Sequence, residues 1–220
     1  MLQQIDKKKK ILGYFLLFFL LTTFNNLYFI KSNKFNLTNI DVNGLDEKIN
    51  LQILRDLKTI TFENIFFLNK DFLKSVIESY DIVGSYRIKK IYPNSISVDI
   101  KKTEFLAITY INNEKFLIGS NGKLIQSELF KKDLPVIFGK IEINNFLELI
   151  EILRNSNFDI NNISEFYSYR SGRWDIKTKT NLLYRLPREK LLSSLNFINE
   201  NSKKKIFDGK NVIDLRNPNY

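Results

Sequence analysis

Four residues, Ser120-Asn121-Gly122-Lys123, have the S-x-x-K spacing of penicillin-recognising enzymes, in which the serine is an acylated nucleophile with a lysine beside it. That chemistry needs the serine at the start of a helix and companion S-D-N and K-T-G elements. Here Asn-Gly makes the tetrapeptide a turn, and neither companion occurs in the sequence. Glu148 and Glu151 could supply the two carboxylates that flank a sugar bond in glycoside hydrolysis. Their spacing puts both on one outward helix face, where carboxylates ordinarily serve solvation. Tyr167, Tyr169 and Trp174 could stack on sugars or bases, although aromatic residues in adjacent strands more commonly pack across the sheet. The chain has no His and no Cys, which removes imidazole catalysis, thiolate nucleophiles, disulfides and zinc sites built on either residue. Its eight glycines form no G-x-x-x-x-G-K phosphate loop. No catalytic, cofactor-binding or metal-ligating residue is expected, and binding is the remaining kind of function.

At 220 residues and 44% hydrophobic, with only 4 Pro, the chain is long and apolar enough for one or two packed domains. A net charge of +10 first suggests nucleic acid. Half of that excess lies in residues 1–36, and the abundance of Ile, Lys, Asn and Phe with a single alanine, Ala107, points to an AT-rich coding bias. Nucleic acid is therefore not an expected partner. The N-terminal "KKKKILGYFLLFFLLTTFNNLYFIKSNK" explains much of the charge. From Ile11 to Ile30 no residue is charged, and 20 helical residues reach about 30 Å, the hydrocarbon thickness of a bilayer. A buried core helix and a cleaved signal peptide are the rivals. Apolarity on all sides disfavours the first, and the lack of an A-x-A-like site disfavours the second. Lys7–Lys10 against Lys31 and Lys34 orient the N-terminus to the cytoplasm and the bulk of the chain to the periplasm.

Beyond the anchor, Leu37, Ile40 and Val42 before Asn43-Gly44 predict a strand. Leu51, Leu54, Leu57 and Ile60 predict a helix with Asn50 as its cap, and Asp71 caps a second helix carrying Phe72 or Leu73, Val76, Ile77 and Tyr80. In "YRIKKIYPNSISVDIKKTEFLAI", Ile96, Val98 and Ile100 alternate with polar residues after a Tyr92-Pro93-Asn94-Ser95 turn, the pattern of a hairpin with one buried face. Short strands follow at Thr109–Ile111, Glu114–Ile118 and Lys123–Ile125. Next come a helix carrying Phe146, Leu147, Ile150 and Leu153, and a meander over Ile163–Tyr169, Trp174–Thr178 and Leu182–Leu186. A second helix over Glu189–Glu200 carries Leu191, Leu192, Leu195 and Ile198 inward, and the strand "NVIDLR" closes the chain.

This order of elements, with several of its stretches, resembles the bacterial cell-division family FtsQ, called DivIB in some lineages. "FNLTNIDVNGL" at 35–45 is similar to the first strand of the family's POTRA domain, and "RIKKIYPNSISVDIKKTEFLAI" to its closing strands. "FLIGSNGKLI", "LPVIFG" at 134–139, "RWDIKTKTNLLYRLP" and "VIDLR" at 212–216 resemble successive parts of its β domain. The expected fold is α+β: a single N-terminal transmembrane helix, a POTRA-like α/β domain, then a mainly antiparallel β domain with two helices. The expected division is a cytoplasmic tail at 1–10, the membrane helix at 11–30, the POTRA-like domain at 31–107 and the β domain at 108–220.

The resemblance implies a non-enzymatic scaffold of the divisome, at the inner membrane and the septum, that holds the FtsB and FtsL coiled-coil proteins and so connects division-site assembly to septal peptidoglycan synthesis. No cofactor and no small-molecule substrate is implied. A sheet edge suits that role, since a partner segment can add to it as a strand. The expected edge is Val212, Ile213, Asp214, Leu215 and Arg216 with Tyr220. Val212 and Asp214 would face one side, Ile213 and Leu215 the other, Arg216 would pair with an acidic group on the partner, and a proline at Ile213 would abolish capture. The sequence given ends four residues after Arg216, where better-known members carry a further edge strand, so that strand is expected to be missing or short. The other readings are a membrane-tethered peptidoglycan-binding or hydrolytic protein and a POTRA-type transport component.

Overall fold

A computed structural model of the chain describes residues 7–23, 31–126, 133–202 and 209–216. The first helix, α1 (Lys7–Thr23), carries its four lysines at one end and leaves Ile11 to Leu21 exposed all round. Among the described residues no helix is long and apolar enough to cross a membrane. Ile30, the expected far end of the span, lies outside them. The rest divides into two compact units, one running to Ile77 and including Tyr86–Ile100, the other comprising Glu78–Ser85 and the residues from Lys101 onward.

A three-stranded sheet belongs largely to the first unit. Its strands are β1 (Asn39–Asn43), β2 (Val83–Ile91) and β3 (Ser95–Lys102), ordered β1-β3-β2 with β1 parallel to β3. The alternation read from the sequence holds in β3, where Ile96, Val98 and Ile100 are buried. Gly44, after β1, has φ +110°, and a Cβ there would come 1.8 Å from the carbonyl oxygen of Ile100, so only glycine fits this close approach. Helix α2 (Glu47–Leu57) begins earlier than its apolar spacing suggested. Asn50 therefore does not cap it; its side chain instead accepts from the Leu45 amide (3.2 Å) and donates to the Leu45 carbonyl (2.9 Å). The earlier start turns Ile53 and Leu57 inward and leaves Leu51 exposed. Helix α3 (Lys70–Glu78) is capped by Asn69, whose Oδ1 accepts from the amides of Asp71 and Phe72, rather than by Asp71. Leu73 and Ile77 are its buried residues.

The second unit is built on eight strands: β4 (Phe105–Ile111), β5 (Glu114–Gly119), β6 (Leu124–Gln126), β7 (Val136–Gly139), β8 (Ile163–Ser168), β9 (Trp174–Thr178), β10 (Leu183–Arg185) and β11 (Val212–Asp214). Their order is β11-β10-β9-β8-β7-β4-β5-β6. The sheet is mixed: β4–β5, β5–β6, β8–β9 and β9–β10 pair antiparallel, as expected, but β4–β7, β7–β8 and β10–β11 pair parallel. For β7–β8 and β10–β11 the cause is connectivity. Helix α4 (Ile143–Asn155) carries the chain from β7 to β8, and α5 (Leu191–Ser202) from β10 to β11; such crossovers return the chain to the end it left. Phe146, Leu149, Ile150 and Leu153 of α4 and Leu195 and Ile198 of α5 pack with Phe166, Trp174, Ile176, Tyr184 and Ile213 of the sheet. Two inward expectations fail: Leu149 takes the place given to Leu147, and Leu192 is exposed. The β4–β5 turn is made by Asn112 and Asn113, both at positive φ, as tight hairpins require.

Candidate partner-binding edge

Strand β11 stands at one end of the eight-stranded sheet among the described residues. It runs parallel to β10, with Leu183 opposite Val212, Tyr184 opposite Ile213 and Arg185 opposite Asp214. The amide of Leu183 donates to the Asn211 carbonyl and the amide of Leu215 to the Arg185 carbonyl, both at 3.0 Å. The alternation of a strand therefore turns the main chain of Ile213 toward β10 and that of Val212 and Asp214 outward, away from the sheet. Side chains alternate at right angles to this. Ile213 and Leu215 are buried at 2% and 8% exposure, while Val212 is 44% exposed.

Charge is concentrated on the opposite face from Ile213. Arg185 lies between Asp175 of β9 and Asp214 of β11, its Cα partners on either side. Its guanidinium is 3.7 Å from Asp214, and Asp214 is clasped by Arg216 through Nε (2.6 Å) and Nη2 while accepting from the Arg216 amide at 3.1 Å. That clasp holds the Asp214 carboxyl down at about 2 and raises the Arg216 guanidinium further. Arg216 is thus engaged within its own chain. The buried Asp175 accepts from the Tyr169 hydroxyl at 3.0 Å and pairs with Arg173 at 3.4 Å. Beside Tyr169, a cleft of about 700 Å³ is lined by Lys140, Arg170, Arg188, Ser168, Ser171 and Trp174, among others. Lys140, Arg170 and Arg188 have no carboxylate partner among the described residues.

The sequence singled out Val212 to Arg216, and Tyr169 and Trp174 as candidate stacking residues, but not Asp175, Arg185 or the cleft. Register assembles these, and no spacing along the chain announces them. Tyr220 lies outside the described residues. The other sequence candidates separate. Ser120 is a turn residue whose hydroxyl lies 3.2 Å from Thr103 Oγ1 and accepts from the Glu104 amide, and Lys123 pairs with Asp81 at 3.4 Å. Glu148 and Glu151 are both exposed on α4. The three aromatic residues make no common platform. Trp174 is buried against Phe146 and Phe166, Tyr167 stacks on Phe138 and donates to Glu165, and Tyr169 lies under the Arg173 guanidinium.

Among the described residues, the second unit thus presents outward main chain, a charged strand end and a cleft lined by basic residues. Residues 107–216 match the family described as "Cell division protein FtsQ/DivIB, C-terminal", and residues 35–102 match "POTRA domain, FtsQ-type". The chain belongs to the FtsQ/DivIB family of cell-division proteins. It is 24% identical over 199 residues to cell division protein FtsQ of Rickettsia typhi, covering 88% of this chain and 74% of that one. It is 28% identical over 135 residues to cell division protein DivIB of Clostridium botulinum, covering 60% of this chain and 51% of the relative. The solved extracytoplasmic domain of the trans isomer of DivIB from Geobacillus stearothermophilus aligns at 18% identity and a TM-score of 0.34, covering 43% of this chain and 87% of that one.

Proposed function

We propose that the chain is a single-pass scaffold of the divisome, with its N-terminus in the cytoplasm and its two folded units in the periplasm at the septum. There it recruits FtsB/FtsL-type partners and performs no catalysis. The observation that carries this reading is the end of the eight-stranded sheet, where Val212 and Asp214 turn their main chain outward over a buried Ile213. A partner strand added there would gain its affinity from main-chain hydrogen bonds and its choice of residues from side-chain pockets. Lys140, Arg170 and Arg188 of the neighbouring cleft, which have no carboxylate partner among the described residues, suit a partner segment with acidic residues. Membrane anchoring is supported by α1, whose apolar side chains are exposed all round with lysines at one end only, and by the uncharged run that continues in sequence to Ile30.

The reading is tested with a photo-crosslinking residue at Val212 in a full-length chain that carries a fluorescent tag at its N-terminus, expressed in dividing cells of the source bacterium. The expected result is a band at the constriction site and an adduct with an FtsB-type protein. With the photo-crosslinking residue moved to Asp214, Val212→Pro should abolish the adduct, since it removes an outward amide. A proline at Ile213 is the wrong test, because it strikes the hydrogen bonds to β10 and the core together. A uniform outline around the cell, with no adduct, overturns the proposal.

A further inference from the structure

In the first unit, the loop from Thr61 to Phe67 displays aromatic residues that its core does not use. Phe62 is 75% exposed, Phe67 64% and Phe66 40%; alongside them Tyr92, stacked on Phe66 at 5.2 Å, is 56% exposed and Ile91 53%. Phe62 also has a φ of +77°, in the left-handed region that a bulky residue enters only at a cost. Glycine or asparagine would relieve that strain, and a polar residue would suit the water. A phenylalanine at this position has neither compensation within its own unit.

The loop is sewn to the start of the unit. The Phe62 amide donates to Leu37 O, the Leu37 amide to Glu63 O and the Ile65 amide to Phe35 O, each at 2.8 Å, and the Phe35 ring lies 5.1 Å from that of Phe66. Phe35 is five residues beyond Ile30, where the uncharged stretch ends. Five residues reach at most about 18 Å even when fully extended. The charge around the loop has one dominant sign: Lys31, Lys34, Lys58 and Lys90 against Glu63, with the Lys90 ammonium donating to the Ile65 carbonyl.

We propose that this aromatic loop, with Ile91 and Tyr92, is a membrane contact whose rings seat at the boundary between headgroups and acyl chains of the leaflet from which the anchor emerges, with the lysines facing anionic phospholipid. Aromatic rings with a cationic surround are the composition that partitions to a bilayer interface, and the tether keeps the loop within reach of it. The proposal rests on the anchor reading above.

The test exploits the absence of cysteine. Leu16→Cys, Phe62→Cys and Phe67→Cys are made singly in the full chain, nitroxide-labelled, and reconstituted into vesicles of phosphatidylethanolamine and phosphatidylglycerol. Collisions with lipid-soluble oxygen are compared with those of an aqueous nickel chelate. Phe67, at an exposed site that is not among the positive-φ residues, covers the case in which Phe62→Cys disturbs the loop, and hydrogen exchange at the Leu37 amide reports whether the loop stays folded. Oxygen should dominate at all three positions, and its excess at Phe67 should shrink in phosphatidylcholine vesicles. Oxygen dominance at Leu16 with nickel dominance at Phe62 and Phe67 overturns the membrane contact and leaves the anchor standing. So does shielding of the loop labels only on addition of a partner protein. Nickel dominance at Leu16 overturns the anchor and the contact together.

Discussion

The two folded units use their aromatic residues in opposite ways. Among the described residues, the buried hydrophobic side chains of the first unit are all aliphatic, from Leu37 and Val42 through Ile53, Leu57 and Ile77 to Ile96, Val98 and Ile100. Its phenylalanines at 62, 66 and 67 lie outside. In the second unit Phe105, Phe146, Phe166, Trp174 and Tyr184 are buried, with Phe146 and Phe166 meeting edge to face at 5.4 Å and both rings in contact with Trp174. A large core between a sheet and two crossover helices has room for interlocking rings. A small three-stranded sheet under two short helices is filled by branched aliphatic side chains. An aromatic residue in the second unit is therefore mainly architecture, and one in the first unit mainly surface.

Five substitutions sharpen or break that contrast. The largest effect is expected at Phe146→Ala, which should cost about 3–5 kcal/mol by opening a cavity between α4 and the sheet. Trp174 is the sole tryptophan and is buried in this unit, so its fluorescence in chemical unfolding of the detergent-solubilised chain reads the loss directly. A loss below about 1 kcal/mol would mean that the rings are not architectural. Ile213→Ala should follow at about 2–5 kcal/mol, with Val212→Ala within about 0.5 kcal/mol of the parent, because only the first removes buried surface. Equal effects would contradict the facing assigned to β11.

Next comes pH. The Asp214 carboxyl, clasped by Arg216, is held at about 2 against an ordinary 3.8, so its contribution is fully present above pH 3.8 and is lost as pH falls toward 2. Asp214→Asn should remove that part of the acid sensitivity, and the same acid profile in parent and variant would show that the clasp contributes nothing. The smallest effect is expected at Phe62→Gly, which relieves a left-handed backbone and removes an exposed ring. Protection of the Leu37 amide against hydrogen exchange should stay unchanged or rise by up to about 1 kcal/mol. A marked loss of protection would make Phe62 a structural residue after all.

Most of the elements could be read from the sequence, because burial on one face leaves a period. Ile96, Val98 and Ile100 alternate, and the Asn112-Asn113 pair marks a turn that needs two positive φ angles. Strand direction leaves no such trace. The parallel pairings of β7 with β8 and of β10 with β11 follow from where α4 and α5 return the chain, and a side-chain pattern is the same for either direction. Helix starts were missed where a stripe admits more than one phase, as with Leu51 against Ile53. At the candidate edge, Val212 to Arg216 carried a local signal. The Asp175-Arg185-Asp214 row exists only once three strands lie side by side, and the aromatic loop around Phe62 has no periodicity at all.

Strand β11 has a consequence for the order of events during folding. It is the last described strand along the chain, yet Ile213 and Leu215 fill the interior that α4 and α5 enclose. Chains acquire structure from the N-terminus onward during synthesis, so the interior of the second unit stays open until these residues arrive. The same residues form the proposed docking edge. A chain stalled or clipped before Val212 would lose its closure and its adhesive surface together.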